Sequence, residues 1–245
     1  MYFDKTELII HADDLGISNH VNNEIMRMMD AGIVTSSSIL ANGPAFDEVV
    51  EVINKHPECS YGVHLNITEF MPVSNNPDHV KLVNSSGLFD GRVKTAVVNS
   101  ELIDAIVEEW SMQIEKVRSL GIDISHVDSH GHTHTFPKLK PALISVLQRN
   151  SVKRFRLPSL SENLLSPGIN LLDTDFKQFT TTGTFCDYKT FRSVNEEVLL
   201  KHKSIEVMIH PGFADNTDEA AENIAIYKEF ESFRYKYHLR NYNHL

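Results

Sequence analysis

The segment "HVDSHGHTHTFP" (126–137) places four histidines and one aspartate within nine positions. A core cannot hold that much imidazole unless every ring nitrogen finds a partner, and a solvated loop has no need of it. His126, Asp128, His130, His132 and His134 share one parity. On an extended strand they would project from the same face. Other chemistry-bearing residues follow short apolar runs. Asp13 and Asp14 come after "ELIIHA" (7–12), His64 and Asn66 close "CSYGVHLNI" (59–67), Arg156 closes "SVKRFRLP" (151–158) and His210 closes "SIEVMIH" (204–210).

Two imidazoles and one carboxylate on one side of a divalent cation, with open positions opposite, form a hydrolytic metal site. His64, His130 and one of Asp13 or Asp14 could supply it. Two histidine ligands favour Zn²⁺ or another late transition metal over Mg²⁺, which prefers oxygen. Such an ion lowers the pKa of bound water and polarises a carbonyl. The remaining aspartate could serve as general base, Asp128 could orient a ligating histidine, and a further histidine could protonate a departing amine. Taken singly, each residue has an ordinary reading: an Asp-rich turn, a satisfied core histidine, a surface ion pair. Packing does not explain five clusters at five strand ends. His11, His56, His79, His202, His238 and His244 fall outside the pattern and receive no role. No Gly-rich phosphate loop and no GxSxG elbow is present, and neither Cys59 nor Cys186 has a histidine at motif spacing.

The elements that must position these residues alternate. Strands are expected at 7–12, 33–42, 59–67, 123–129, 151–158, 175–180 and 204–210. Helices are expected from Ser18 or Asn19 to about Gly32, from about Pro44 to Lys55, over 100–121, from about Pro137, and from near Thr217. In the 100–121 helix Ile103, Ile106, Val107, Trp110, Ile114 and Val117 make an apolar stripe, so Trp110 reads as core. Residues 68–98 look irregular, and a loop of that length is read as a substrate-covering lid, in which Phe70 or Phe89 could offer a stacking face or else anchor the loop to the core. Alternating strands and helices imply a parallel sheet with right-handed crossovers, as a TIM-like barrel or, alternatively, a doubly wound sheet. Either way the strand C-termini converge on one face.

The bulk composition agrees with one α/β domain over residues 1–245. The 23 Lys+Arg against 33 Asp+Glu give a formal charge of −10, which speaks against nucleic acid or an anionic membrane as partner. No apolar run reaches transmembrane length and "MYFDKTELIIHADDLG" makes no signal peptide. With two cysteines in all, the expectation is a reduced cytoplasmic protein.

The segments "HADDLGIS" (11–18), "IVTSSSILANGPAF" (33–46), "YGVHLNIT" (61–68), "HVDSHGHTHTFP" (126–137), "RLP" (156–158) and "VMIHPGFAD" (207–215) resemble, in order, those of the YdjC-like carbohydrate deacetylases, which include chitooligosaccharide deacetylases. The resemblance implies a TIM-like, irregular or incomplete (β/α) barrel. It implies one divalent metal, Mg²⁺ or Zn²⁺, and hydrolysis of the acetamido group of small N-acetylated sugars such as diacetylchitobiose or its phosphate. Carried over by position, Asp14, His64 and His130 are metal ligands, Asp13 is the catalytic base, and His210 is the acid or oxyanion partner. Asn66, Asp128, His132, His134 and Arg156 remain as substrate-binding or supporting residues. Many relatives carry consecutive histidines where this chain has Gly131 between His130 and His132. The stretch "YKYHLRNYNHL" (235–245) matches nothing in the family. Homodimers are frequent among such proteins, so the resemblance leaves a homodimer open, although the sequence itself does not give the oligomeric state. A metal-dependent phosphohydrolase on a similar barrel and a non-catalytic metal or sugar binder are the alternatives.

Overall fold

The computed structural model describes residues 5–77, 81–158, 174–213 and 217–245. Seven strands make one parallel sheet among them: β1 (Glu7–Leu15), β2 (Ser36–Ile39), β3 (Ser60–Leu65), β4 (Val127–Ser129), β5 (Thr184–Asp187), β6 (Ser204–Ile209) and β7 (His238–Leu239). The order is β4-β3-β2-β1-β6-β5, with β7 also paired to β1. Among the described residues, the ring continues beyond β4 only through two isolated parallel bridges, Val127 to Phe155 and Arg154 to Thr180. The result is an incomplete, TIM-like barrel. The helices are α1 (Asn19–Asp30), α2 (Val49–Lys55), α3 (Ser100–Arg118), α4 (Lys140–Arg149), α5 (Tyr188–Ser193), α6 (Glu196–Leu199) and α7 (Thr217–Lys236).

Local chemistry sets the boundaries. Ser18 caps α1 by accepting from Val21 N, and Asn99 caps α3 by accepting from Leu102 N. Leu102, Ile106, Trp110, Ile114 and Val117 recur at helical spacing and are buried on α3. Outward-facing strand residues Leu8, Ile10, Ala12, Val63, Leu65, Val127, Ile205, Val207 and Ile209 join them in one core. The alternate residues of the same strands point inward, and many of these are polar.

Several expectations are corrected. Residues 175–180 contain a 3-10 turn, Thr174–Phe176, and one bridge at Thr180; the strand lies later, at Thr184–Asp187. Residues 151–158 contribute bridges and no ladder. The helix expected from Pro44 begins at Val49. A short β7, which the sequence did not announce, pairs with β1. Phe89 is buried and its N–H donates to the carbonyl of Phe70, so it anchors the 68–98 segment.

Candidate active site

The adjacent pair Asp13–Asp14 poses a geometric problem, because neighbours on a regular strand face opposite ways. The chain solves it with an irregularity. Pairing of β1 with β2 slips between Ala12 and Leu15, and Asp14 itself adopts a left-handed conformation, φ 66°. Aspartate tolerates that region better than most residues, and such bulges re-aim side chains beside active sites. Ile17 N–H donates to the Asp14 carbonyl at 3.0 Å, and Gly16, φ 103°, turns the chain toward α1.

Both carboxylates therefore reach one buried cluster. Asp14 Oδ1 lies 2.8 Å from His130 Nδ1 and 3.2 Å from His64 Nε2. One ligand atom from each of Asp14, His64 and His130 fits within 4.8 Å of the others. On its other side His64 donates from Nδ1 to Asp128 Oδ1 at 2.8 Å, because a carboxylate can only accept. A neutral His64 then presents the lone pair of Nε2 to a carboxylate oxygen. Two lone pairs at that distance require a cation between them, either a proton or a metal ion. The donor set thus fits a divalent metal, and the Asp128 hydrogen bond leaves His64 Nε2 as the ring atom that could face one. Burial works against a charged His64, yet the Asp128 and Asp13 carboxylates outweigh it and hold its pKa well above the ordinary value. Burial likewise works against ionised Asp14, but hydrogen bonds to His130 and His64 hold it well below the usual carboxylate range.

Asp13 is held differently. Arg156 donates to it from Nη1 and Nη2, at 2.9 and 2.7 Å, a bidentate pair. Burial raises the Asp13 pKa, but the guanidinium overcomes this and brings it down to about 2. Arg156 Nη2 also lies 2.9 Å from Asp128 Oδ2. His210, the residue after β6, has its side chain 26% exposed and lies 3.9 Å from Asp13 and 4.0 Å from Asp14.

Other expected residues lie elsewhere. The shared parity holds only for His126 and Asp128, because β4 ends at Ser129 and a 3-10 turn, His130–Thr135, follows with positive φ at Gly131 and His132. His134 turns into the fold, where its ring joins Ser129 Oγ and the Arg156 carbonyl. His132 leans on the Phe185 ring, 5.7 Å between centroids. Asn66 organises its own loop: its Oδ1 accepts from Thr68 and Glu69 N–H groups, and its Nδ2 donates to Asn42 and the Glu69 carbonyl. Beneath the cluster lies a layer for which the sequence reading gave no role. His11 contacts Ser36 and Ser38 and lies 3.4 Å from Asp128. Glu206 accepts from Arg156 Nε, and Tyr242 donates to Glu206. A period-two reading of "IIHAD" puts His11 on the face of Asp13, and the lone charge in "SIEVMI" is the comparable signal for Glu206.

The model of the YdjC-like proteins matches residues 7–240. The chain belongs to the YdjC-like family. This YdjC-like chain is 32% identical over 208 residues to a carbohydrate deacetylase from Geobacillus stearothermophilus, covering 84% of this chain and 80% of that one. It is 30% identical to one from Vibrio campbellii, covering 92% and 86%. Among solved structures, a proposed cellobiose-phosphate cleavage protein from Enterococcus faecalis superposes with a TM-score of 0.77 at 21% identity, over 98% of both chains. A CE4 esterase from Streptococcus mutans superposes with a TM-score of 0.56 at 11% identity, over 97% of this chain and 86% of that one. Those two likenesses show the fold alone. No helix among the described residues is long and apolar enough to cross a membrane.

Proposed function

We propose that this YdjC-like chain, as a single domain over residues 1–245, is a metal-dependent carbohydrate deacetylase that removes the acetyl group from small N-acetylated sugars. The observation that carries the reading is the convergence of potential ligand atoms of Asp14, His64 and His130 beside an Asp13 carboxylate clamped by Arg156. The names of the relatives point the same way. Asp14 Oδ1, His64 Nε2 and His130 Nδ1 would hold one divalent ion, Mg²⁺ or Zn²⁺. Such an ion supplies Lewis acidity, which lowers the pKa of water and polarises an amide carbonyl.

The protein's own residues do the rest. Asp13, with a pKa of about 2, is ionised at any working pH. It is a weak base at equilibrium, so it accepts a proton only from a water made acidic. Arg156 fixes both of its oxygens, which keeps one in place for that transfer. His210, partly exposed beside Asp13, would protonate the departing amine. A phosphate ester suits the site less well. Arg156 is already paired with three carboxylates, and the acidic cluster repels a dianion.

The test offers the protein, loaded with Zn²⁺ or Mg²⁺, diacetylchitobiose, its 6-phosphate and generic phosphomonoesters. Acetate from either sugar, with no inorganic phosphate from any, is the expected result. Phosphate release without acetate transfers the proposal to the phosphohydrolase class. Metal uptake with neither product leaves a binder.

A further inference from the structure

Arg156 is fully buried and has five N–H donors to satisfy. Nη1 and Nη2 meet Asp13, Nη2 also meets Asp128, and Nη1 lies 3.8 Å from Met208 Sδ. The remaining edge, Nε, donates to Glu206 Oε1 at 2.8 Å. The Phe185 ring lies against the guanidinium, 4.6 Å from Cζ to centroid. Glu206 has a second oxygen, and it accepts the Tyr242 hydroxyl hydrogen bond.

Tyr242 is itself pinned. Its ring stacks on His126 at 3.6 Å and 5°. Its backbone N–H donates to Ser60 Oγ at 3.1 Å. His126 in turn sits against Gly62, where any Cβ would fall 2.4 Å from the imidazole. A chain of contacts therefore runs from the floor of the barrel to Asp13: Tyr242, Glu206, Arg156, Asp13. Arg156, Glu206 and Tyr242 are all fully buried, so substrate cannot touch any of them.

We infer that Glu206 and Tyr242 are positioning residues for the Asp13 carboxylate, acting through Arg156; the inference rests on the deacetylase reading. A guanidinium held only at its Nη edge can pivot between Asp13 and Asp128. Glu206 removes that freedom by fixing Nε. Tyr242 keeps Glu206 from drawing the guanidinium away, because it satisfies the oxygen that Arg156 does not. The two residues act on where the Asp13 oxygens sit. They have no part in holding the sugar.

Tyr242→Phe removes one hydroxyl and keeps the stacked ring, and Glu206→Gln keeps the shape and removes the charge. Each is expected to lower kcat about tenfold, the scale of one hydrogen bond to a charged group. KM and bound metal, measured by elemental analysis, are expected to stay unchanged. A residue that merely supports the fold would cost the same factor in any background. Each change is therefore repeated in Asp13→Asn, where it should cost nothing further in residual kcat. The same fold-loss in both backgrounds, or a loss confined to KM, overturns the proposal. A second readout does not depend on turnover. The Arg156 Nε–H resonance should exchange slowly with solvent in the wild type and faster in Tyr242→Phe. If the protein releases acetate from no acetylated sugar, the deacetylase reading fails, and this exchange rate alone decides the clamp. Faster exchange supports it, and an unchanged rate overturns it.

Discussion

The inner and outer faces of the same strands bury opposite kinds of side chain. On β1 the outward residues Leu8, Ile10 and Ala12 join the apolar core, while His11 and Asp13 point into the ring. On β3 Val63 and Leu65 face out, and Gly62 and His64 face in. On β6 Ile205, Val207 and Ile209 face out, and Glu206 faces in. The outer face is non-directional and holds the barrel to its helices by area removed from water. The inner face is directional, because each buried polar group there must find a partner or lose about 1–3 kcal/mol. A barrel of this kind is stabilised from outside and given its chemistry from inside. A substitution on one face should move a different measurement from a substitution on the other.

The largest effect is expected at the inner rim. His130→Ala should abolish both metal binding and activity, since a three-ligand site seldom survives on two. Elemental analysis checks it, and full metal occupancy in that variant breaks the ligand assignment. Asp13→Asn comes next. It should keep the metal and lose rate by roughly 10²–10⁴-fold, the range of general base catalysis. If Asp13→Asn loses metal while Asp14→Asn retains it, the roles of the two residues are exchanged. On the outer face Ile10→Ala should cost about 2–5 kcal/mol in urea unfolding, the scale of a large-to-small core change. Its kcat, measured on the folded protein, should match the wild type. A fall in kcat there would show that the two faces are not separable.

Period and composition made the outer face legible in the sequence. The α3 stripe, the α1 cap at Ser18 and most of the strands are readable because apolar burial needs only the right spacing. The clusters at Asp13–Asp14, His64, Asp128–His130, Arg156 and His210 are readable because polar residues at strand ends are conspicuous. The interior layer is not. His11, Ser38, Glu206 and Tyr242 come from four parts of the chain, and their partnership exists only once the ring forms. The 130–134 histidines mislead for the opposite reason: their regular alternation implies a strand that Gly131 and His132 break with positive φ. The 184–187 strand was hidden because four residues carry too little period to read.

The smallest effect at neutral pH, and the finest test of the contrast, concerns His134. Its ring bridges Ser129 and the Arg156 carbonyl inside the fold. Burial, with the neighbouring His132 adding to it, pushes its pKa down to about 3 from the usual 6.5. Between those values the unfolded chain binds a proton that the folded chain refuses, so stability rises with pH across the window. The contribution is complete above about 6.5 and is lost as pH falls toward about 3. His126 shifts in the same direction and His64 in the opposite one, so the wild-type profile is a composite. The difference between wild type and His134→Asn isolates one residue. At pH 7.5 the variant should be less stable by about 1–3 kcal/mol, from the lost hydrogen bonds. As pH is lowered to 4.5 that deficit should shrink, because the wild type loses a term that the variant never had. Thermal melts at the two pH values measure it. A deficit that stays constant would mean that His134 remains able to protonate in place, and that this part of the inner wall is wetter than its burial implies.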